Sequence, residues 1–261
     1  VTVIRQNRPI AGILSLAMGV MIFSTQDAIL KALSGEFAVT QAIYVRCVVA
    51  LPILFFMVHM EAGLRALMSP VTWQMIVRGL ILLVAYTTYY MAIAALPLAE
   101  AVALFFVAPV LVTLLSGPFL GEKVSMHSWI AVILGFIGVL IILRPGTALF
   151  EPAAILSLVS AATYALAMVY ARRLGASEPS TVMAFYQNAV YLVGSVVIAV
   201  SFELLGIVSL PHPALDFLVR PWAAASLYDF GLMAACGVIA AVAMSLLTHA
   251  YRSAPANIVT V

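Results

Sequence analysis

Charged side chains are scarce in this sequence, and several sit inside apolar runs where a charge must be paired, hydrated or put to use. Asp27 and Lys31 are four residues apart and share a helix face. Two readings stand for them. In one, Lys31 reaches the interface and takes Asp27 as a local partner. In the other, Asp27 faces a cavity, pairs with Arg46, and binds a solute ammonium or couples protons. Arg46 lies about two helical turns inside its run, as one half of a structural ion pair or as a cavity residue that meets a carboxylate. Arg78 stands near the opposite end of the next run, where an anchor or the wall of an inner vestibule fits. Glu100 opens a further run, stabilised there by the helix dipole or acting in an outer gate.

Polar aromatic residues form a second group. Tyr86, Tyr89 and Tyr90 fall at i, i+3 and i+4, so their rings share one helix face. Such a face either walls a wet cavity that receives uncharged or zwitterionic solutes or belongs to an interfacial belt. Tyr164 and Met168 share a face of a later run; Gln187, Asn188 and Tyr191 lie on the one after it. His249 is a lone histidine near the end of its run, either a packing residue or a proton relay.

No HExxH, GxSxG or phosphate-loop pattern occurs. The two cysteines, Cys47 and Cys236, lack CxxC spacing and read as packing residues. The expectation is therefore no catalytic residue, no metal and no cofactor, and a protein that is not an enzyme; a membrane enzyme would need convergent acids and histidines that the sequence does not assemble. A net charge of +2 without a basic run interleaved with aromatics sets nucleic acid aside as a partner. The partners expected are a small-molecule solute and the lipid bilayer.

The elements that must position these residues follow from composition. Hydrophobic residues make up 65% and charged residues 8%, against roughly 25% charged in a soluble domain. Apolar runs of about 18 or more residues recur, each able to cross a hydrocarbon core as a helix. They lack the period-two alternation of a membrane β-barrel. Periodicity and breakers place segments near 9–31, 39–60, 72–95, 98–119, 126–144, 151–172, 181–205 and 227–251, with a ninth opening at about 255. The turn at Leu96-Pro97 makes its two neighbours antiparallel. Pro97, Pro109 and Gly138 are the expected pivots, because they end or weaken the backbone ladder.

With the N-terminus inside, Arg5, Arg8, Arg65, Lys123, Arg172, Arg173 and Arg252 fall on the cytoplasmic side, and Lys31, Arg144 and Arg220 outside. That satisfies the positive-inside bias. Gly12 to Leu16 returns as Ala154 to Leu158, offset by 142 residues, and Ala92 to Pro97 returns as Ala250 to Pro255, offset by 158. These echoes set Tyr44 opposite Phe185 and Arg46 opposite Gln187. A unit of five spans ends on the opposite face, so a second copy must insert upside down.

A Pro within segment four followed by Gly121-Glu122, then Gly135, Gly138 and Val139 closing in Arg144-Pro145-Gly146, resembles the drug/metabolite transporter superfamily of EamA type. Within it, the chain looks like the YddG-type amino-acid exporters. The resemblance implies an all-α integral membrane fold of ten helices in two inverted five-helix repeats, 1–146 and 147–261, with the last two helices largely absent from this chain. It implies a secondary exporter of small metabolites, above all neutral or aromatic amino acids, in the inner membrane. The binding residues expected are Arg46, Tyr86, Tyr89, Tyr90, Tyr164, Met168, Gln187 and Tyr191, with Asp27, Glu100, His249 and Pro109 in coupling or gating. A sugar-phosphate or nucleotide-sugar carrier and a lipid-modifying membrane enzyme are the alternatives.

Overall fold

The computed structural model describes residues 9–120, 126–143, 151–174 and 178–253. In order along the chain they form α1 (Pro9–Leu33), α2 (Val39–Glu61), α3 (Thr72–Ala95), α4 (Leu98–Phe105), α5 (Ala108–Leu120), α6 (Met126–Leu143), α7 (Ala153–Leu174), α8 (Ser180–Leu204), α9 (Pro213–Val219) and α10 (Leu227–Ser253). A 3-10 turn, Leu64–Leu67, links α2 to α3. No strand occurs among the described residues. Helices satisfy every backbone group internally, which hydrocarbon demands. Among the described residues five stretches are long and apolar enough to span a bilayer: Val39–Glu61, Thr72–Ala95, Leu98–Phe119, Ala153–Leu174 and Ser180–Leu204. This is an all-α integral membrane protein.

Two elements depart from the sequence expectation. The single run at 98–119 is broken at Phe106–Val107 into α4 and α5. Pro109 sits in the first turn of α5, where its missing N–H is not needed. It cannot donate back toward α4, and the ladder tightens instead through Val107 N–H to the Leu104 carbonyl at 3.3 Å. The expectation of a backbone break near Pro109 holds, displaced to the two residues before it. The connection between α8 and α10 folds into the short α9, begun by Pro213 and capped by the His212 side chain, which accepts from Ala214 N–H at 3.2 Å. Phe217 and Ala214 carry α9 onto the main core.

Packing follows a paired scheme. α1 runs along α10 and α3 along α7, and α2 meets α8 between them, while α2 also touches α10 and α3 also touches α8. Two close crossings fix this arrangement, each made possible by a glycine. A Cβ on Gly79 of α3 would stand 2.9 Å from Val190 Cγ2 of α8. On Gly237 of α10 it would stand 2.5 Å from the Arg46 carbonyl oxygen and 2.7 Å from Val49 Cβ, both on α2. Small residues let helix backbones approach in this way where lipid supplies no hydrophobic drive between helices. Left-handed glycines end the two central helices: Gly63 (φ 75°) after α2 and Gly206 (φ 68°) after α8.

Hydrogen bonds clasp both ends of the bundle. At one end Gln41 donates to the Ala223 carbonyl at 2.7 Å and accepts from Ala223 N–H at 3.0 Å. There Trp222 Nε1 donates to Thr40 Oγ1 at 2.9 Å, and Arg220 Nη1 to the Ser34 carbonyl at 3.2 Å. The His212 ring pairs with Glu151 at 3.0 Å, and that bond holds the exposed Glu151 carboxyl below its ordinary range. At the other end Ser69 donates to Glu178 at 2.6 Å and Thr181 to Glu61 at 2.7 Å, while the Tyr186 hydroxyl donates to the Leu67 carbonyl.

Gly237→Ala is expected to lose about 1–3 kcal/mol of stability by overpacking, read as a lowered thermal midpoint of the purified protein in detergent. At Gly138 a Cβ would meet nothing within 4 Å. Gly138→Ala is therefore expected to leave the midpoint unchanged or raise it. Equal losses at the two positions would contradict the crossing.

Candidate functional site

The polar residues inside the bundle converge where α1, α2, α3, α7, α8 and α10 meet. Arg46, 2% exposed, is carried by α2 opposite Gly237. Its Nη1 donates to the Tyr90 hydroxyl at 3.0 Å, and its guanidinium lies 5.3 Å from the centroid of the Tyr191 ring. Gln26 Nε2 donates to the same Tyr90 hydroxyl at 2.9 Å. Tyr90 therefore accepts from two helices at once and ties α1 and α2 to α3. Beside it the Tyr89 hydroxyl donates to Asp27 at 3.0 Å. The adjacent tyrosines thus hold the acid and the base separately.

Arg78, 4% exposed, enters the same cluster from the other end of the bundle. Its Nη1 donates to Gln187 Oε1 at 3.4 Å, and Gln187 Nε2 donates to the Tyr191 hydroxyl at 3.0 Å. Neither arginine forms an ion pair with a carboxylate among the described residues, and the Nε–H of each is buried without a partner. A guanidinium carries five donors and keeps its charge in a protein. Taking one out of water costs several kcal/mol unless its donors and charge are satisfied. A π face and neutral hydroxyl or amide oxygens offset part of that cost, and leave donors open to an anion.

Aromatic rings pack around the two arginines. Tyr86 is the hub, with ring centroids 5.9 Å from Tyr90, 5.7 Å from Tyr191 and 6.4 Å from Tyr164. Phe105, from the last turn of α4, closes the wall at 5.2 Å from both Tyr89 and Tyr164. Met168 packs half-buried against the same core.

Eight binding residues were expected, and the structure brings Arg46, Tyr86, Tyr89, Tyr90, Tyr164, Gln187 and Tyr191 into one cluster with Met168 at its margin. Asp27 joins them through Tyr89, but two local expectations are corrected. Lys31 does not take Asp27 as its partner: its Nζ donates to the carbonyls of Ile93, Ala94 and Leu96 at 2.5, 3.3 and 3.0 Å, capping the end of α3 before Pro97. Asp27 does not meet Arg46 directly, because Tyr89 and Tyr90 take one each. Glu100 stands half-buried in the first turn of α4 with no hydrogen bond to the cluster. Pro109 lies at the α4–α5 break, outside it. The His249 side chain lies outside the described residues.

Sequence reasoning misses two members and leaves a third between two readings. Arg78, an anchor or the wall of an inner vestibule by its place near a helix end, is buried and donates inward to Gln187. Gln26 sits one residue before Asp27, and its depth was the available signal. Phe105 gave none, since its role comes from the break after it.

Such a buried polar and aromatic cluster at the centre of a helical bundle, with clasps at both ends, belongs to a membrane transport protein. Residues 10–144 match the model of the EamA-like transporter family, and the chain belongs to that family. It is 28% identical over 252 residues to the pseudopaline exporter CntI of Pseudomonas aeruginosa, covering 96% of this chain and 82% of that protein. An S-adenosylmethionine uptake transporter of Rickettsia felis is 27% identical over 60% of this chain and 52% of its own length. A riboflavin transporter of Rhizobium johnstonii is 26% identical over 69% and 60%. One crystal structure superposes on 94% of this chain and 82% of its own with a TM-score of 0.61 at 17% identity, a likeness of fold.

The Arg46–Tyr90 bond should be measurable on its own. A double-mutant cycle of Arg46→Met and Tyr90→Phe is expected to give a coupling of about 1.5–3 kcal/mol in unfolding stability, as for a hydrogen bond to a charged group. A coupling near zero would contradict the bond.

Proposed function

We propose that this transporter exports small amino-acid-type solutes, neutral and aromatic amino acids among them. The observation that carries this reading is Arg46, a buried guanidinium with an open Nε–H and no carboxylate partner of its own. A solute carboxylate accepts from it, in the charge-assisted geometry arginine favours. The solute's ammonium turns to Asp27, and its side chain lies among Tyr86, Tyr164 and Phe105. An ammonium and a proton compete for one carboxylate, so outward solute movement is coupled to inward proton movement through Asp27. Open cavity cations are few, which disfavours sugar phosphates and nucleotide sugars. The YddG-type amino-acid exporters are the resemblance this reading extends.

The fold divides into two inverted repeats at about residue 146, and the solute moves by alternating access between them. Support comes from exchange of the close crossings. Val49 and Val190 are 141 residues apart, Gly79 and Gly237 are 158 apart, and each valine meets the glycine of the other half. These are the offsets at which Arg46 faces Gln187 and at which Ala92 to Pro97 returns. The pairing of α1 with α10 and of α3 with α7 exchanges in the same way. Under this symmetry the clasp around Thr40 answers the clasp around Thr181, so opening one end while the other stays closed gives access to each side in turn. The N-terminus is cytoplasmic, in the inner membrane.

The test is flux of labelled L-phenylalanine in proteoliposomes containing the full-length protein, with and without a pH gradient. Saturable flux accelerated by the gradient is expected. Arg46→Ala should weaken apparent affinity at least about tenfold, the loss of one strong charged hydrogen bond, and Asp27→Asn should remove the gradient dependence. No saturable flux of any amino acid from folded protein would overturn the reading.

A further inference from the structure

The second buried arginine has no task in the binding of a simple amino acid. Arg78 is as deeply buried as Arg46, is carried by a different helix, and also has an unpartnered Nε–H. Arg46 stands seven residues in from the start of α2, and Arg78 six residues in from the start of α3, which begins at the opposite end of the bundle. At 1.5 Å per residue they enter the cluster about 10 Å from either end. They converge on shared neighbours: Arg46 stacks on Tyr191, while Arg78 reaches the Tyr191 hydroxyl through Gln187. Tyr86 and Tyr191 are electrostatic neighbours of both guanidiniums, and Tyr164 of Arg78. The aromatic wall therefore lies between two cations, and among the described residues the one acid that meets it, Asp27, stands on the Arg46 side.

That leaves one positive charge in excess. A solute with a single carboxylate matches Arg46 and, through its ammonium, Asp27, and leaves Arg78 uncompensated in a buried site. Leaving a buried charge without a counter-ion is costly, whereas an anion delivered by the solute satisfies it. Arg78 also differs from Arg46 in its protein partner, an amide oxygen at 3.4 Å, long for a hydrogen bond and readily exchanged for a carboxylate.

We propose that the preferred solutes carry two separated carboxylates on an amino-acid skeleton, the α-carboxylate at Arg46 and a distal one at Arg78, with an apolar or aromatic body between them. This rests on the export of amino-acid-type solutes proposed above. Two anchors on separate helices, joined by the Gln187–Tyr191 bridge, favour two carboxylates some distance apart over one compact phosphate, around which both arginines would need to converge. Arg78 then selects among solutes and Arg46 admits the class.

Binding to the full-length protein in nanodiscs, measured by calorimetry, compares L-phenylalanine, 4-carboxy-L-phenylalanine and O-phospho-L-tyrosine. These share one skeleton and differ at the distal position. The dicarboxylate is expected to bind at least about tenfold tighter than L-phenylalanine, as one charged hydrogen bond would give. In Arg78→Gln the ratio of the two affinities should fall to about one, and in Arg78→Lys, which keeps the charge, a preference of a few-fold should remain. A ratio near one in the unmodified protein would overturn the proposal while leaving amino-acid export standing, and so would a ratio that survives Arg78→Gln in folded protein. Tighter binding of O-phospho-L-tyrosine than of the dicarboxylate would contradict the carboxylate assignment. Absence of binding by all three would overturn this proposal and the export reading together.

Discussion

The centre of this protein depends on the burial of Arg46 without an acidic partner. A guanidinium in a bilayer interior is tolerated only where the surroundings replace most of its hydration. Here the replacement is assembled from separate helices: a hydroxyl from α3, a ring face from α8, and the close approach of α10 at Gly237 against the Arg46 backbone. Tyr90 carries the heaviest demand, accepting from Gln26 and Arg46 together. None of these partners neutralises the charge. The arrangement is stable enough to form and leaves the Arg46 Nε–H without a partner, which is what the proposed site uses.

Rigidity and mobility are divided along the bundle. The middle is fixed by glycine crossings in which a single methyl group would collide with backbone or a β-branched side chain. The ends are closed by hydrogen bonds between loops and helix starts, several of them to side-chain amides and hydroxyls that water can replace. Packed interfaces are bistable and hydrogen-bonded clasps are separable. The proposed alternating access asks for release of one clasp at a time while the crossings stay in place. Lys31, capping the carbonyls at the end of α3, joins α1 to α3 beside the clasp around Thr40.

Much of the fold was legible in the sequence, because hydropathy over about 20 residues is a long and redundant signal. α3 begins and ends at the residues the breakers indicated, 72 and 95, since Pro97 leaves no choice there. The break at Phe106–Val107 was less visible, because Pro109 marks a disruption without saying on which side it falls. α9 was missed because its seven residues are too few to show a period. Within the site, the tyrosines of α3 were legible from i, i+3 and i+4 spacing. The Gln187 partner of Arg78 and the true partner of Lys31 were not, since long flexible side chains choose partners by tertiary proximity, and spacing along one helix says nothing of a neighbouring carbonyl.

The most direct test of Arg46 as the carboxylate anchor is the nitrogen-15 resonance of its Nε–H, assigned by comparison with Arg46→Lys in arginine-labelled, full-length protein. On titration with L-phenylalanine a saturable downfield move is expected, with no comparable move on adding phenethylamine, which keeps the ring and ammonium but lacks the carboxylate. An unmoved resonance at saturating L-phenylalanine, or an equal response to phenethylamine, would contradict the anchor and with it the reading of the site.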